Sequence, residues 1–159
     1  MKASSLVALV SFLCASVSWA REPFIVKDIR IEGILVVKMA PKGVETIIGV
    51  NNDPLFGHVV MFGLGGIFTE LFKDGVFRVA PFGIDEARRM IREIKGHALL
   101  DGFRGGAKAD VDALARLLSS ISEFAVANSS QFSSIDLNPV MVFEEGQGAC
   151  ALDAVIVGA

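Results

Sequence analysis

The chain has 159 residues, of which 52% are hydrophobic and 21% charged, so it can form one compact domain and is too apolar for a disordered chain. Its 15 Lys and Arg residues against 18 Asp and Glu residues give a net charge of -3, and without a basic block nucleic acid is not an expected partner. Two cysteines exclude a disulfide scaffold and a four-thiolate zinc site.

The first 20 residues have the features of a secretory signal peptide. Lys2 precedes an apolar stretch that ends in Ser18-Trp19-Ala20, with small residues at the two positions that signal peptidase reads. The stretch is shorter than the roughly 20 residues that a helix needs to span a bilayer. Residues 1–20 are therefore predicted to be a cleaved signal peptide, which favours export over a stable membrane anchor.

Residues 21–33 form a separate short segment, REPFIVKDIRIEG, whose apolar residues surround a charged pair. This pattern predicts a short strand. Together with the signal, the segment resembles the start of the bacterial outer-membrane β-barrel assembly factor, whose mature part opens with a POTRA domain. The rest of a POTRA domain does not follow Gly33, so residues 21–33 are interpreted as a POTRA-like start or a linker.

Strands dominate the next part of the chain. The pattern predicts strands at 34–40, at 44–50, around 58–62 and at 76–80, joined by turns rich in Pro, Gly, Asn and Asp. The first three are expected to form an antiparallel meander. A glycine-rich turn, 63–66, follows the third strand.

Two helices and a hairpin complete the chain. The first helix begins near Asp85 and ends at Gly96, with Ile84, Ala87, Met90, Ile91 and Ile94 on its apolar face. The second has Asp110 as its N-cap and a predicted buried stripe of Leu114, Leu117, Leu118, Ile121 and Phe124. The segments SSIDLNPVMVF and ACALDAVIV form the hairpin, in which Cys150 is expected to be a buried thiol. The fold class is α+β, a mainly antiparallel sheet with two helices packed on one face.

Candidate metal ligands lie in this hairpin. Asp136 and Asn138 are two residues apart, which on a strand places them on the same face, and Asp153 lies on the partner strand. Two carboxylates and an amide oxygen suit Mg²⁺ when phosphates and water complete its shell. The alternative is that these residues are solvated turn formers.

Several motifs together carry a resemblance to a known family. GILVVKMAPKGVETIIGVNNDPLFGHVVMFGLGGIFTELFKDGVFRVAP, the LLDGFRGG loop and IDLNPVMVFEEGQGACALDAVIV occur in this order. They resemble the C-terminal part of the ATP-grasp domain of ADP-forming (NDP-forming) acyl-CoA synthetases. Related protein lysine acetyltransferases share this domain, and the β subunit of succinyl-CoA synthetase is more distantly similar. The resemblance covers residues 34–159 and implies the C-terminal ATP-grasp lobe.

The resemblance implies a set of binding residues, with Mg²⁺ and ATP or ADP as cofactors. Asn138 and Asp153 fall on the family's Mg²⁺-binding positions, with Asp136 beside them. The strand with Lys38, Met39 and Ala40 would supply the hinge whose backbone meets adenine, and Glu45 would bind ribose. Gly65 and Gly66 either present backbone N–H groups to an anion or form only a tight turn.

The resemblance covers only part of a complete enzyme. The implied function is binding of Mg-ATP or Mg-ADP for phosphoryl transfer linked to the interconversion of acyl-CoA and free acid. The first ATP-grasp lobe and the CoA-binding part are missing, so the chain is expected to be inactive without a synthetase subunit that supplies them. Without these parts, the apolar face that they would cover is exposed, so self-association of the chain is expected.

Two alternative interpretations stay open. The chain is a non-catalytic exported scaffold, or it is a chimeric product of an outer-membrane assembly factor start and a synthetase tail joined near Gly33. The location is open as well, because the resemblance implies a cytoplasmic protein whereas the N-terminal segment predicts export to the periplasm.

Overall fold

The computed structural model describes residues 39–66 and 74–159, which form an antiparallel sheet with two α-helices. The strands are β1 (Val44–Asp53), β2 (Gly57–Leu64), β3 (Gly75–Val79), β4 (Phe132–Val142), β5 (Ala149–Ala151) and β6 (Ala154–Gly158). The helices are α1 (Ile84–Glu93) and α2 (Val111–Ala127), and short 3₁₀ segments cover Lys95–Leu99 and Phe103–Gly105. The predicted α+β class is confirmed.

The sheet has the order β3-β2-β1-β4, and both β5 and β6 pair with β4. Each of these pairings is antiparallel. The turn between β1 and β2 is held by Asp53, whose Oδ1 accepts hydrogen bonds from the backbone N–H groups of Leu55 at 2.8 Å and Phe56 at 3.0 Å. Gly57 closes this turn with a φ of 73°, a conformation that favours glycine.

The core lies between one face of the sheet and the two helices. Alternate residues of each strand point to this face. The buried side chains include Ile48, Val50, Val60, Phe62, Leu137 and Val140 from the strands, and Met90, Ile91, Leu114 and Leu118 from the helices. The other face of the sheet carries no helix among the described residues.

Asp110 joins the start of α2 to the turn between β4 and β5. Its Oδ1 accepts from the N–H of Ala113 at 2.9 Å, which confirms the predicted N-cap. Its Oδ2 accepts from the N–H groups of Gly146 at 3.0 Å and Gly148 at 2.9 Å. These hydrogen bonds, that of Ala113 first, hold the pKa of Asp110 below its ordinary value, because they stabilise the ionised carboxylate.

The structure corrects several expectations about burial. The small residues Ser119 and Ser122 are buried in α2, while Phe124 of the predicted stripe is exposed. Both serine hydroxyls donate to the carbonyl oxygen of Phe82, each at 3.1 Å. This partly polar side of the helix can therefore be buried without the loss of hydrogen bonds. Cys150 is an exposed free thiol, because β5 lies at an edge of the sheet and not inside it.

Most of the first predicted strand, 34–40, lies outside the described residues. Residues 34–38 lie outside the described residues, and Met39 and Ala40 have no strand structure. The predicted signal peptide and the POTRA-like segment also lie outside them. In the part of the chain that the structure describes, no helix is long and apolar enough to cross a membrane.

Candidate functional site

The open face of the sheet carries the candidate site. Residues that alternate with the core positions point to this face, among them Glu45, Gly49, Met61, Phe77 and Asp136. Gly49, Met61 and Phe77 lie side by side on β1, β2 and β3, with Met61 opposite both other residues. Because glycine has no side chain, nothing projects from the open face of the sheet at Gly49.

Glu45, Gly65 and Gly66 meet at one end of the sheet. The N–H of Gly65 donates to the carbonyl oxygen of Glu45 at 2.8 Å. Gly66 has a φ of 63°, and a Cβ atom at this position would lie 2.9 Å from Oε2 of Glu45. The Glu45 carboxylate therefore lies directly against the glycine turn, and it would have to move if residue 66 had a side chain.

A cavity of about 450 Å³ opens beside this contact. It is lined by Gly43, Val44, Glu45, Leu64, Gly65, Gly66 and Leu99. One carboxylate in a mainly apolar wall is a common arrangement for a cofactor pocket, because the apolar residues bury the ligand and the polar group orients it. The structure thus brings together three of the residues predicted to bind nucleotide.

Two more cavities lie on the open face. The middle one, of about 290 Å³, shares the core residue Leu64 with the first cavity, which opens at the end of the sheet. The far one, of about 340 Å³, shares Met61 and Phe77 with the middle one and is also lined by Asp136. Neighbouring cavities therefore share lining residues from the Glu45 end of the sheet to Asp136.

The predicted metal ligands lie where β4 meets the break between β5 and β6. Asp136 and Asn138 are exposed and flank the buried Leu137 on β4. The backbone N–H of Asn138 donates to the carbonyl oxygen of Asp153 at 3.2 Å, so these two residues are neighbours across the strands. Oδ1 of Asp153 accepts from the N–H of Ala154 at 2.8 Å, which orients that carboxylate.

The donor set at this edge fits an incomplete magnesium shell. Two carboxylates and an amide supply hard oxygen ligands, and they are exposed, so phosphate oxygens and water can complete the coordination. Within residues 39–66 and 74–159, no group of three or more His, Cys, Asp or Glu side chains is placed to hold a metal ion by itself. The arrangement therefore suits a cation that arrives with a nucleotide better than a structural ion in a closed cage.

The remaining predicted binders, residues 38–40, precede β1 in the chain. Lys38 lies outside the described residues. Met39 is exposed and Ala40 half-buried, in irregular backbone just before β1. The sequence analysis names neither Met61 nor Phe77 as a site residue. The period of two along a strand was the available signal, because every second residue of VVMFGL and GVFRV must leave the core face.

Comparison with known proteins identifies the family. The sequence profile of the ATP-grasp domain matches residues 23–157. The chain belongs to the ATP-grasp domain family. The match begins inside the segment interpreted as POTRA-like, and the domain boundary at Ile34 stays a prediction.

Curated relatives of this ATP-grasp chain are ADP-forming acetate–CoA ligases. The chain is 45% identical over 130 residues to the β subunit of acetate–CoA ligase (ADP-forming) II of Pyrococcus furiosus, covering 82% of this chain and 55% of the relative. It is 47% identical over 117 residues to acetate–CoA ligase (ADP-forming) I of Archaeoglobus fulgidus, covering 74% of this chain and 17% of that protein. The ATP-grasp chain thus spans about half the length of the β subunit and a smaller share of the long ligase.

A solved structure has the same fold. It is a dinucleotide forming acetyl-coenzyme A synthetase 1 of Ca. Korarchaeum cryptofilum in complex with coenzyme A and Mg-AMPPCP, with its phosphohistidine segment pointing towards the nucleotide binding site. The TM-score is 0.70 at 45% identity, covering 76% of this chain and 55% of that one. The ATP-grasp chain is therefore homologous to a subunit of an ADP-forming acetyl-CoA synthetase, and its sheet and helices form the C-terminal ATP-grasp lobe.

Proposed function

We propose that this ATP-grasp lobe binds Mg-ATP or Mg-ADP on the open face of its sheet, as part of an acyl-CoA synthetase of the ADP-forming type. The observation that carries the proposal is that both predicted sites lie at cavities of the same sheet. The Glu45–Gly66 cavity and the cavity at Asp136 are linked by a middle cavity that shares lining residues with each. The carboxylates at the Asp136 end would meet anionic phosphates through a bound Mg²⁺.

The residues of the lobe have distinct tasks in this proposal. Glu45 accepts hydrogen bonds from a ribose hydroxyl, and the glycine turn keeps its carboxylate in place. The irregular backbone at Met39 and Ala40 faces the base, and Lys38 belongs to the same segment. The N–H of Gly65 already donates to the carbonyl oxygen of Glu45, so in this turn the N–H of Gly66 is the one that would meet an anion.

Asp136, Asn138 and Asp153 would hold Mg²⁺ at the phosphate end. The ion supplies charge neutralisation for the phosphoryl group when it is bound. The backbone positions these oxygen ligands. Asp136 and Asn138 are two residues apart on β4. The N–H of Ala154 donates to Oδ1 of Asp153 and so orients that carboxylate. Since β4 is central in the sheet, with β1 on one side and β5 and β6 on the other, these ligands rest on a rigid base.

We further propose that the lobe needs a second polypeptide segment for catalysis. Phosphoryl transfer depends on groups that enclose the phosphates, and an open sheet face encloses them from one side only. The chain spans about half of the β subunit that it resembles, so the remaining half of such a subunit is the expected complement. Interconversion of an acyl-CoA and a free acid is the expected reaction of the completed assembly.

Calorimetric titration of the full chain with Mg-ADP, compared with ADP alone, tests the metal assignment. The variant Asn138→Ala with Asp153→Ala is expected to abolish the part of the affinity that depends on Mg²⁺, because both changes remove oxygen ligands. The matched control is Asn52→Ala with Asp112→Ala, which removes the same groups from exposed positions outside the proposed site. Equal Mg²⁺ dependence in the wild type and both variants would refute the assignment of these ligands.

A further inference from the structure

Gly49 lies in the middle of β1, the strand between β2 and β4. Its φ lies outside the left-handed region, so other residues can adopt this backbone conformation. A Cβ atom at Gly49 would lie 3.8 Å from Cβ of Met61 and 4.0 Å from the carbonyl oxygen of Ile135, which are ordinary van der Waals distances. Apart from its chain neighbours, no other atom of the described residues would lie within 4 Å. The fold therefore has room for a side chain at this position.

Close packing explains the glycine on the neighbouring strand but not Gly49. A Cβ atom at Gly63 of β2 would lie 2.9 Å from the carbonyl oxygen of Asp74, so a side chain there would displace the backbone. Glycine inside a strand lowers stability, because it loses much conformational freedom on folding and packs no side chain. A strand glycine that neither φ nor packing requires is typical of a place where a ligand comes close to the backbone.

The partner of Gly49 on β4 is Asp136. The two residues lie opposite each other in the register of β1 and β4, and both line the far cavity of about 340 Å³. Residues at such paired positions have Cβ atoms about 4.5 to 5.5 Å apart. A branched side chain at residue 49 would therefore fill the space beside the Asp136 carboxylate. With glycine at residue 49, this space is open to a ligand.

Glu45 lies on the same strand and the same face as Gly49, four residues earlier. At a rise of about 3.4 Å per residue, the two positions are roughly 13 to 14 Å apart. A nucleotide whose ribose meets Glu45 and whose phosphates approach Asp136 therefore extends along β1 and brings its phosphates over Gly49.

We propose that Gly49 contacts the phosphates of the bound nucleotide, which pass over its backbone to the metal at Asp136. This inference rests on the nucleotide-binding function proposed above. It adds that the absence of a side chain at residue 49 serves the ligand and not the fold. A side chain at this position closes the phosphate end of the site and leaves the folded structure intact.

Two measurements on the full chain test the proposal with the variants Gly49→Ala and Gly49→Val. Urea denaturation compares their stability, and calorimetric titration measures their affinity for Mg-ADP. The matched control is Gly158→Val, which places the same side chain on β6, where a Cβ atom would meet no atom of the described residues within 4 Å. Gly158 lines none of the three cavities between Glu45 and Asp136.

We expect Gly49→Ala to unfold at the urea concentration of the wild type or above it, because replacing a compatible glycine reduces the entropy of the unfolded chain. Gly49→Val is expected to weaken Mg-ADP binding about tenfold or more, where each tenfold corresponds to about 1.4 kcal/mol. Gly49→Ala, with its smaller side chain, should have an intermediate affinity. Gly158→Val should bind Mg-ADP as the wild type does.

The stability of Gly49→Ala decides whether the fold requires the glycine: unfolding at a lower urea concentration than the wild type would overturn the proposal. Equal affinities of the wild type and both Gly49 variants would overturn it as well, and would leave the nucleotide-binding function standing. A wild type that binds no Mg-ADP would overturn that function together with this inference, so the two failures are distinguishable.

Discussion

At the scale of single residues, the Asp110 side chain links two separate parts of the fold. Its carboxylate accepts three backbone hydrogen bonds, from Ala113, Gly146 and Gly148. These bonds connect the start of α2 to the turn after β4, the strand that carries the proposed metal ligands. We expect Asp110→Ala to destabilise the fold by about 2 to 3 kcal/mol, because a helix cap and two further hydrogen bonds to backbone N–H groups are lost.

Urea denaturation at neutral pH measures this effect. Asp112→Ala is the control, because Asp112 is exposed and forms one surface ion pair with Arg88, of small energetic value. A loss of stability in Asp110→Ala no larger than in Asp112→Ala would contradict the structural role.

The lowered pKa of Asp110 also predicts a pH dependence. A carboxyl group whose pKa is lower in the folded than in the unfolded state stabilises the fold above its unfolded pKa. This contribution is lost as the pH falls through the folded pKa. We therefore expect the stability difference between the wild type and Asp110→Ala to be full at neutral pH and to shrink as the pH falls below about 4. A difference that stays constant down to strongly acidic pH would contradict the lowered pKa.

Gly66 allows a second test at the residue scale. Gly57 and Gly66 both have a positive φ, but only at Gly66 would a Cβ atom meet the Glu45 carboxylate, at 2.9 Å. Gly57→Ala and Gly66→Ala should therefore share a strain of about 1 kcal/mol in urea denaturation. We expect only Gly66→Ala to weaken Mg-ADP binding, because it displaces Glu45. Equal affinities of the two variants in calorimetry would argue against a role of Glu45 in the site.

At the scale of elements, α2 shows what sequence periodicity can and cannot predict. The N-cap Asp110 and the buried Leu114 and Leu118 follow from the sequence, because capping and helical spacing are local properties. The rotation of the helix about its axis is not local. It depends on the hydrogen bonds of Ser119 and Ser122 to Phe82, a residue 37 and 40 positions away. Phe124 is 44% exposed for the same reason.

This difference predicts unequal mutational effects along the helix. Leu118→Ala is expected to cost about 2 to 5 kcal/mol, because Leu118 is fully buried. Phe124→Ala is expected to cost roughly 1 kcal/mol, mainly through its stacking with Phe132 at a centroid distance of 6.1 Å. Thermal and urea denaturation of the two variants measures both values. A larger loss for Phe124→Ala than for Leu118→Ala would contradict the observed rotation of the helix.

The candidate site was predictable in part, and the reason lies in the topology. Asp136, Asn138 and Asp153 belong to one hairpin, so their proximity follows from strand spacing. Glu45 and the Gly65–Gly66 turn lie on neighbouring strands, but their contact depends on a register in which Thr46 lies opposite Leu64. The apolar middle of the site, with Met61 and Phe77, depends on which face the helices cover. That is a tertiary property, which alternation alone leaves undecided.

At the scale of the whole molecule, the two faces of the sheet have different tasks. The helix face contains the core and stabilises the lobe, whereas the open face carries the polar and apolar residues proposed to meet the nucleotide. The core is thus complete between one face of the sheet and the two helices, without a contribution from the open face.

Hydrogen–deuterium exchange of the full chain, with and without millimolar Mg-ADP, tests the central claim most directly. Binding on the open face is expected to slow exchange in residues 39–46, in the turn at 63–66, and around Asn138 and Asp153. Exchange in the helices α1 and α2, which lie on the other face of the sheet, should remain unchanged. Slowed exchange confined to the helices, or no slowed exchange anywhere in the folded protein, would contradict the proposed nucleotide site.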